Sequence, residues 1–278
     1  MIQSKRDLIF NYLHSSPKEV EAILLEKKSY YKSFPKTKYD DDGNIRMKNG
    51  KKEVRHITHA TGKLKILQKN LLKNVFNQIP LLGCIKGGVK GISSIANARE
   101  HQGKKYRFQT DIRNFFPSIS ANQSFEALKK KGFSKQTASL ITQLVTYEEA
   151  LTQGNPTSTF IANLVFENVD KQLLHLIYGH NITYTRWVDD LTFSSSHPLQ
   201  FVVSDIIQII FRNGFKPHRK KTECHNKRSK ITGISVGNNS MRPKDSFLQV
   251  DETNLNENQI QGRKQYKERV LGITPAKK

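Results

Sequence analysis

Three aspartates carry the clearest chemical possibility in this 278-residue chain. Asp189 and Asp190 are adjacent within YTRWVDDLTF, and Asp111 closes a strand-like run that leads into TDIRNFF. Adjacent carboxylates in an apolar, strand-forming context repel one another, and the cost grows where water is partly excluded. A divalent cation removes that cost, and Mg²⁺ prefers carboxylate oxygens together with the oxygens of a bound phosphate. With the third acid supplied by a neighbouring strand, two ions would flank one phosphoryl group. One would activate an attacking 3′-hydroxyl and the other would neutralise a leaving pyrophosphate. These residues alone are equally compatible with a metal site that does no polymerisation, and a lone Asp–Asp pair with a solvated turn. The hydrophobic strands around the pair and the strand-end position of Asp111 favour the metal.

Particular elements must deliver those acids. Tyr106–Ile112 reads as a strand running into Phe115–Phe116–Pro117. Ile182–Phe193 is β-rich at both ends and interrupted at Val188–Asp189–Asp190, the pattern of a hairpin that presents carboxylates at or near its turn. Helical spacing of Leu64, Leu67, Leu71, Leu72 and Val75 predicts an amphipathic helix over Lys63–Asn77. Further helices are expected at Lys5–His14, from Ser16 (N-cap) and Pro17 to about Lys28, and at Ser93–Gln102, Asn122–Lys131, Ser134–Thr146, Ser158–Tyr178 and Leu199–Arg212. Strands are expected at Tyr30–Lys36, Ile45–Met47, Glu53–Ile57 and Ile231–Val236, with a turn at Asp40–Gly43. Gly83–Gly91 holds four glycines among bases and reads as a loop. Strands alternating with helices imply an α+β class, with helices packed on one sheet face.

Composition narrows the partners. Lys and Arg number 46 against 24 Asp and Glu, a formal net charge of +22. Such an excess repels itself, and a polyanion relieves it. Basic clusters at Lys48–Arg55, Lys86–Lys90, Lys216–Lys221 and Arg263–Arg269 are far apart in sequence, which suits a long groove tracking a nucleic-acid backbone. The two cysteines, Cys84 and Cys224, form no CxxC pair, so structural zinc is not expected. The most apolar run, near Phe201–Phe211, is broken by Asp205 and Gln208 and is too short for a membrane span. The first residues lack the apolar core of a secretory signal. The expectation is a soluble, cytoplasmic protein.

In order along the chain, Arg55, TDIRNFFPSI, LTQGNPTS, YTRWVDDLTF, GFKPHRKKT and ITGISV resemble the successive fingers and palm motifs of reverse transcriptases. The resemblance covers about Tyr30 to Val236. Asn97–Ala98–Arg99–Glu100–His101 further resembles the NAxxH element of the retron branch, and Ile231–Thr232–Gly233 its VTG element. The resemblance implies a right-hand polymerase fold, with an antiparallel palm sheet backed by helices. It implies fingers over 1–105, a palm over 106–240 with finger and palm helices at 121–150, and a short thumb-like region over 241–278.

The resemblance also implies roles. Asp111 and Asp189 would bind Mg²⁺ directly, with Asp190 beside them and the Ile112 carbonyl available to one ion. Arg55 would reach the incoming triphosphate, where a guanidinium fork suits phosphate oxygens; Arg113 belongs to the same nucleotide-binding set. Phe116, five residues past Asp111, matches the steric gate that crowds a ribose 2′-OH, while Phe115 is the more natural core residue. Gln153 and Gly154 match the loop against the nascent base pair. Lys221 matches the lysine near the leaving pyrophosphate, with Lys220 as its substitute. Asn97 and His101, together with Thr232 and Gly233, match elements associated with recognising the cognate RNA.

Departures from the family pattern are local. Trp187–Val188 stands where Tyr–Ala is typical, His218 where asparagine is usual, and Thr159 where proline usually follows PTS. About forty residues follow Val236, short for a thumb, with room for one basic helix around Gly262–Arg269 and none for an RNase H domain. The expected function is RNA-directed DNA synthesis on a structured non-coding RNA. Retron behaviour adds priming from a 2′-hydroxyl, a branched msDNA product, and antiphage defence beside an effector protein. Another defence-associated or group II-like reverse transcriptase, an RNA-directed RNA polymerase, and a non-catalytic RNA-binding scaffold with a polymerase fold are the other readings.

Overall fold

The computed structural model describes residues 2–39, 44–253 and 255–272, with the side chain of Lys220 left out. The expected turn at Asp40–Gly43 lies outside them. In chain order the elements begin with α1 (Lys5–Asp7), which continues into a π-helical turn, then α2 (Pro17–Leu25), β1 (Tyr31–Thr37), β2 (Met47–Lys48), β3 (Lys51–Lys52) and β4 (Val54–Ala60). Next come α3 (Gly62–Asn74), α4 (Ser94–Arg99), β5 (Tyr106–Asp111), α5 (Ala121–Lys130), α6 (Lys135–Val145) and α7 (Ser158–Leu176). The last part holds β6 (Thr183–Trp187), β7 (Asp190–Ser195), α8 (Gln200–Arg212), β8 (Glu223–His225), β9 (Ser229–Ile231), β10 (Ile234–Val236), β11 (Met241–Pro243), α9 (Asp245–Leu248) and α10 (Glu257–Leu271). The chain forms two compact units, one of residues 1–38, 47–83 and 113–171, the other of 39–46, 84–112 and 172–278.

The second unit contains all three aspartates. Its main sheet is antiparallel in the order β6-β7-β5-β8. β7 buries Leu191 to Ser195 on both faces, as a central strand does. Tyr184 and Phe193 stack with ring centroids 4.5 Å apart, and Phe108 lies 6.0 Å from Phe193. Such aromatic pairs add roughly 0.5–1.5 kcal/mol beyond the area they bury. In α8, Val202, Ile206 and Ile210 are buried at a spacing of four, one stripe of the helix.

A smaller sheet, β11-β10-β9, packs with α4 and α10 around Ile95, Ala98, Ile231, Ile234, Val236, Met241 and Val270. The single strand expected at Ile231–Val236 is instead two strands of a tight hairpin. Thr232 (φ 47°) and Gly233 (φ 80°) both take left-handed backbone, which suits the right-handed twist of the flanking strands. α10 starts on a reciprocal capping box between Asn256 and Gln259 and includes the basic stretch expected to be helical.

The first unit pairs β1 with β4 in antiparallel register, from Tyr31 opposite Ala60 to Thr37 opposite Val54. Helix α3 follows β4 and buries Leu64, Leu67 and Leu71. Phe76 stacks on Phe160 at 4.4 Å. Helix α5 opens on a capping box, Ser120 with Gln123, and α6 on the cap of Ser134. Among the described residues, no helix is long and apolar enough to cross a membrane.

Candidate active site

Register brings the aspartates together. Asp111, the last residue of β5, is paired with Asp190, the first of β7. Residues directly opposite in an antiparallel pair have Cα atoms about 4.5–5.5 Å apart, so their side chains meet. Trp187 closes β6 opposite Asp190, which leaves Val188 and Asp189 as a two-residue turn. Two backbone bonds fix the corner: Ile112 N–H donates to the Asp189 carbonyl at 2.9 Å, and His218 N–H donates to the Asp111 carbonyl at 2.7 Å. Ligand oxygens of Asp111, Asp189 and Asp190 all lie within 4.8 Å of one another.

The turn carries strain. Val188 has φ 60°, a conformation that glycine adopts freely and a β-branched side chain does not. Holding it costs roughly 1–3 kcal/mol, which the surroundings must offset. One such support is Arg186, completely buried on β6, whose Nη1 donates to the Val188 carbonyl at 2.9 Å.

Charge is unbalanced here. The Asp190 residue is exposed, yet its carboxyl is crowded among the other two. Loss of hydration and then the negative charges of Asp189 and Asp111 push its pKa up to about 7. Lys221 Nζ donates to Asp111 Oδ2 at 2.7 Å. Burial alone would lower that ammonium's pKa, but the bond to Asp111 and the other acids raise it above the ordinary value. One ammonium against three carboxylates leaves negative charge in a hard-oxygen site, which is what a divalent cation fits. Asp111, Asp189 and Asp190 are the residues that would hold it. The arrangement supports phosphoryl transfer, since ions held there would face phosphate oxygens.

The other residues of the second unit fall around its smaller sheet and α4. Asn97 and His101 are buried, at 1% and 0% exposure. His101 Nδ1 lies 2.7 Å from Ser194 Oγ, and Nε2 lies 2.7 Å from Thr185 Oγ1. The ring therefore bridges β7 and β6, the strands that flank the acidic turn. Burial first, then the charges of Arg107 and Lys86, lower its pKa to about 3, so it is neutral. Thr232 Oγ1 donates to the Ser94 carbonyl at 3.1 Å, which joins the β9–β10 turn to the start of α4. Gly233 is exposed beside it. The two elements that resemble retron features thus sit against each other, with Asn97 and His101 pointing inward and the turn outward.

In the first unit, Arg55 lies on β4 opposite Lys36 and is exposed, as is Arg113. Phe115 is buried edge-on against Phe166 at 5.6 Å, whereas Phe116 is only partly buried, so the pair divides as expected. Gln153 and Gly154 lie on a loop that touches β4: a Cβ on Gly154 would stand 3.0 Å from Ile57 Cγ2. Asn155 was not anticipated. Its buried Oδ1 accepts from Ala60 N–H at 2.7 Å, so it ties that loop to the strand carrying Arg55. Asparagine between Gly154 and Pro156 looked like turn composition, and nothing local distinguished it. Arg186 was missed too, although an arginine inside a β-rich strand next to paired acids was a readable signal.

Residues 42–272 match the family model described as reverse transcriptase (RNA-dependent DNA polymerase). Retron Mx162 reverse transcriptase of Myxococcus xanthus is 31% identical over 214 residues, 66% of this chain and 44% of that protein. Retron Ec86 reverse transcriptase of Escherichia coli is 30% identical over 196 residues, 69% of this chain and 61% of that one. The chain thus spans about half the length of the curated relatives it matches. A telomerase from Candida albicans, solved with a TWJ fragment of telomeric RNA, superimposes with a TM-score of 0.53 at 10% identity. It covers 82% of this chain and 50% of its own, and that likeness is one of fold.

Proposed function

This chain belongs to the reverse transcriptase family, and on that premise we propose that it is a retron-type, RNA-directed DNA polymerase that copies part of a structured non-coding RNA in the cytoplasm. The observation that carries this reading is the carboxylate triad, delivered by the end of β5 and the β6–β7 turn. Mg²⁺ is the cofactor we assign, and when bound it would lower the pKa of the attacking 3′-hydroxyl and offset the charge of the departing pyrophosphate. Asp111 and Asp189 would hold it, assisted by Asp190 and the Ile112 carbonyl.

The remaining roles belong to this chain's own side chains. Lys221, now on Asp111, turns to the pyrophosphate and supplies its proton; its raised pKa keeps it charged until then. Arg55, Arg113 and Gln153 bind the incoming dNTP, and the partly buried Phe116 ring excludes a 2′-hydroxyl. Thr232 and Gly233 meet the cognate RNA, while Asn97 and His101 hold α4 and the hairpin in place behind them. Fingers over 1–105, palm over 106–240 and a short thumb over 241–278 complete the reading. Its retron character implies a branched msDNA product and a place in antiphage defence with an effector.

Primer extension on an RNA template with Mg²⁺ tests the proposal, comparing dNTPs with NTPs for wild type and Asp189→Asn/Asp190→Asn. Incorporation of dNTPs that disappears in the variant is the expected result. No incorporation by wild type, on this template or on RNA that co-purifies with it, refutes the proposal in favour of a binding scaffold.

A further inference from the structure

The glycine-rich stretch Gly83–Gly91 does more than connect elements. Its start meets β6, the edge strand of the main sheet, through a single parallel bridge. Arg186 N–H donates to the Cys84 carbonyl at 2.8 Å, and Lys86 N–H returns a bond to the Arg186 carbonyl at 2.8 Å. Ile85, paired with Arg186, is 1% exposed. Immediately beyond this bridge, Gly87 N–H also reaches the Arg186 carbonyl, at 3.2 Å.

Gly87 is pressed onto the acidic turn itself. A Cβ there would lie 2.8 Å from the Trp187 carbonyl carbon and 2.8 Å from Val188 Cγ2, and would collide with the Val188 backbone nitrogen. Real Cβ atoms essentially never come within 3.0 Å of a non-bonded heavy atom, so any side chain at position 87 must displace the turn. At the same residue, buried Arg186 holds the Val188 carbonyl. Val188 is the residue with φ 60°, and a strained β-branched residue persists only where its surroundings over-determine it. Released, it would swing to negative φ and rotate the Val188–Asp189 peptide. That rotation carries the Asp189 carboxylate away from Asp111.

We infer that Gly87 and Arg186 are positioning residues of the metal site, holding the strained Val188 turn at two points, its nitrogen end and its carbonyl, so that Asp189 and Asp190 stay aimed at Asp111. This rests on the metal-binding reading of the triad and adds the device that makes its geometry hold. The size tolerated at 188 is likewise set by what stands at 87.

The test is a double-mutant cycle on the full chain, read first by Mn²⁺ affinity from paramagnetic titration and then by steady-state dNTP incorporation. Gly87→Ala should bind Mn²⁺ about 10- to 100-fold more weakly, the range for groups that orient ligands, with kcat lowered and KM for dNTP little changed. Arg186→Lys, which keeps the charge but loses the fork, should weaken Mn²⁺ binding to a similar degree. Val188→Gly makes positive φ free, so the Arg186→Lys/Val188→Gly double variant should keep most of the wild-type affinity, whereas Gly87→Ala, whose Cβ still meets the Val188 nitrogen and the Trp187 carbonyl carbon, should not be rescued. The inference is overturned by wild-type affinity in Gly87→Ala and Arg186→Lys, by no recovery in the double variant, or by a wild type that binds no Mn²⁺. A wild type that shows the affinity pattern without incorporating dNTPs would leave the clamp standing and sink the polymerase reading instead.

Discussion

Acidification should unfold this protein partly through His101. The ring is fully buried and each nitrogen lies 2.7 Å from a hydroxyl, so the neutral ring donates from one nitrogen and accepts at the other, and a second proton would put a charge out of reach of water beside Arg107 and Lys86. Its folded pKa is about 3, against about 6.5 for an unfolded histidine. The unfolded chain therefore binds the proton first, and the stability tied to neutral His101 is intact above pH 6.5 and drains as pH falls towards 3. Between pH 7.5 and 4.5 the loss is roughly 2–3 kcal/mol, and the full shift corresponds to about 4–5 kcal/mol. Urea unfolding at several pH values measures it, with His101→Gln as the control that keeps donor and acceptor but does not titrate. The variant should start less stable at neutral pH and show a shallower decline below pH 6.5. Equal slopes for wild type and variant would show that the proton is taken elsewhere and refute the argument.

Three further outcomes follow from the geometry. Asn155→Ala orphans the buried Ala60 N–H and should lower stability by about 1–3 kcal/mol, measured by urea unfolding; a loss under half a kcal/mol would mean another group takes over. Lys221→Met removes the cation seated on Asp111, so thermal melting should show a lower midpoint without metal and a larger upward shift with Mg²⁺ than wild type. An unchanged Mg²⁺ shift would place the ion elsewhere. Phe116→Ala should raise NTP relative to dNTP incorporation by about tenfold or more, on the scale of one lost steric exclusion of 1.4 kcal/mol, while dNTP use persists. No change in sugar preference would return Phe116 to a packing role.

Much of this protein was legible in its sequence. Apolar residues at helical spacing marked α3 and α8, because each buries a stripe whose period the sequence must carry. The acidic hairpin was readable from β-rich flanks around Val188–Asp189–Asp190, and the two-phenylalanine run separated correctly into buried Phe115 and half-buried Phe116. Those are local patterns, and local patterns survive in one dimension. The hairpin at Ile231–Val236 was read as one strand because Thr-Gly is a weaker turn signal than Asn-Gly, and only the positive φ of both residues reveals the reversal.

Tertiary structure alone decided what depends on partners distant along the chain. Register across β5 and β7, not spacing, sets Asp111 opposite Asp190. His101, expected within an RNA-recognition element, is buried, where two hydroxyls from β6 and β7 complete its hydrogen bonds. Gly87 looked like loop composition until the acidic turn was found against it. The sequence by itself determined which residues can bind metal and which stretches can pack; the fold decided which of them meet, since a strained turn and a buried ring are stable only when distant segments hold them.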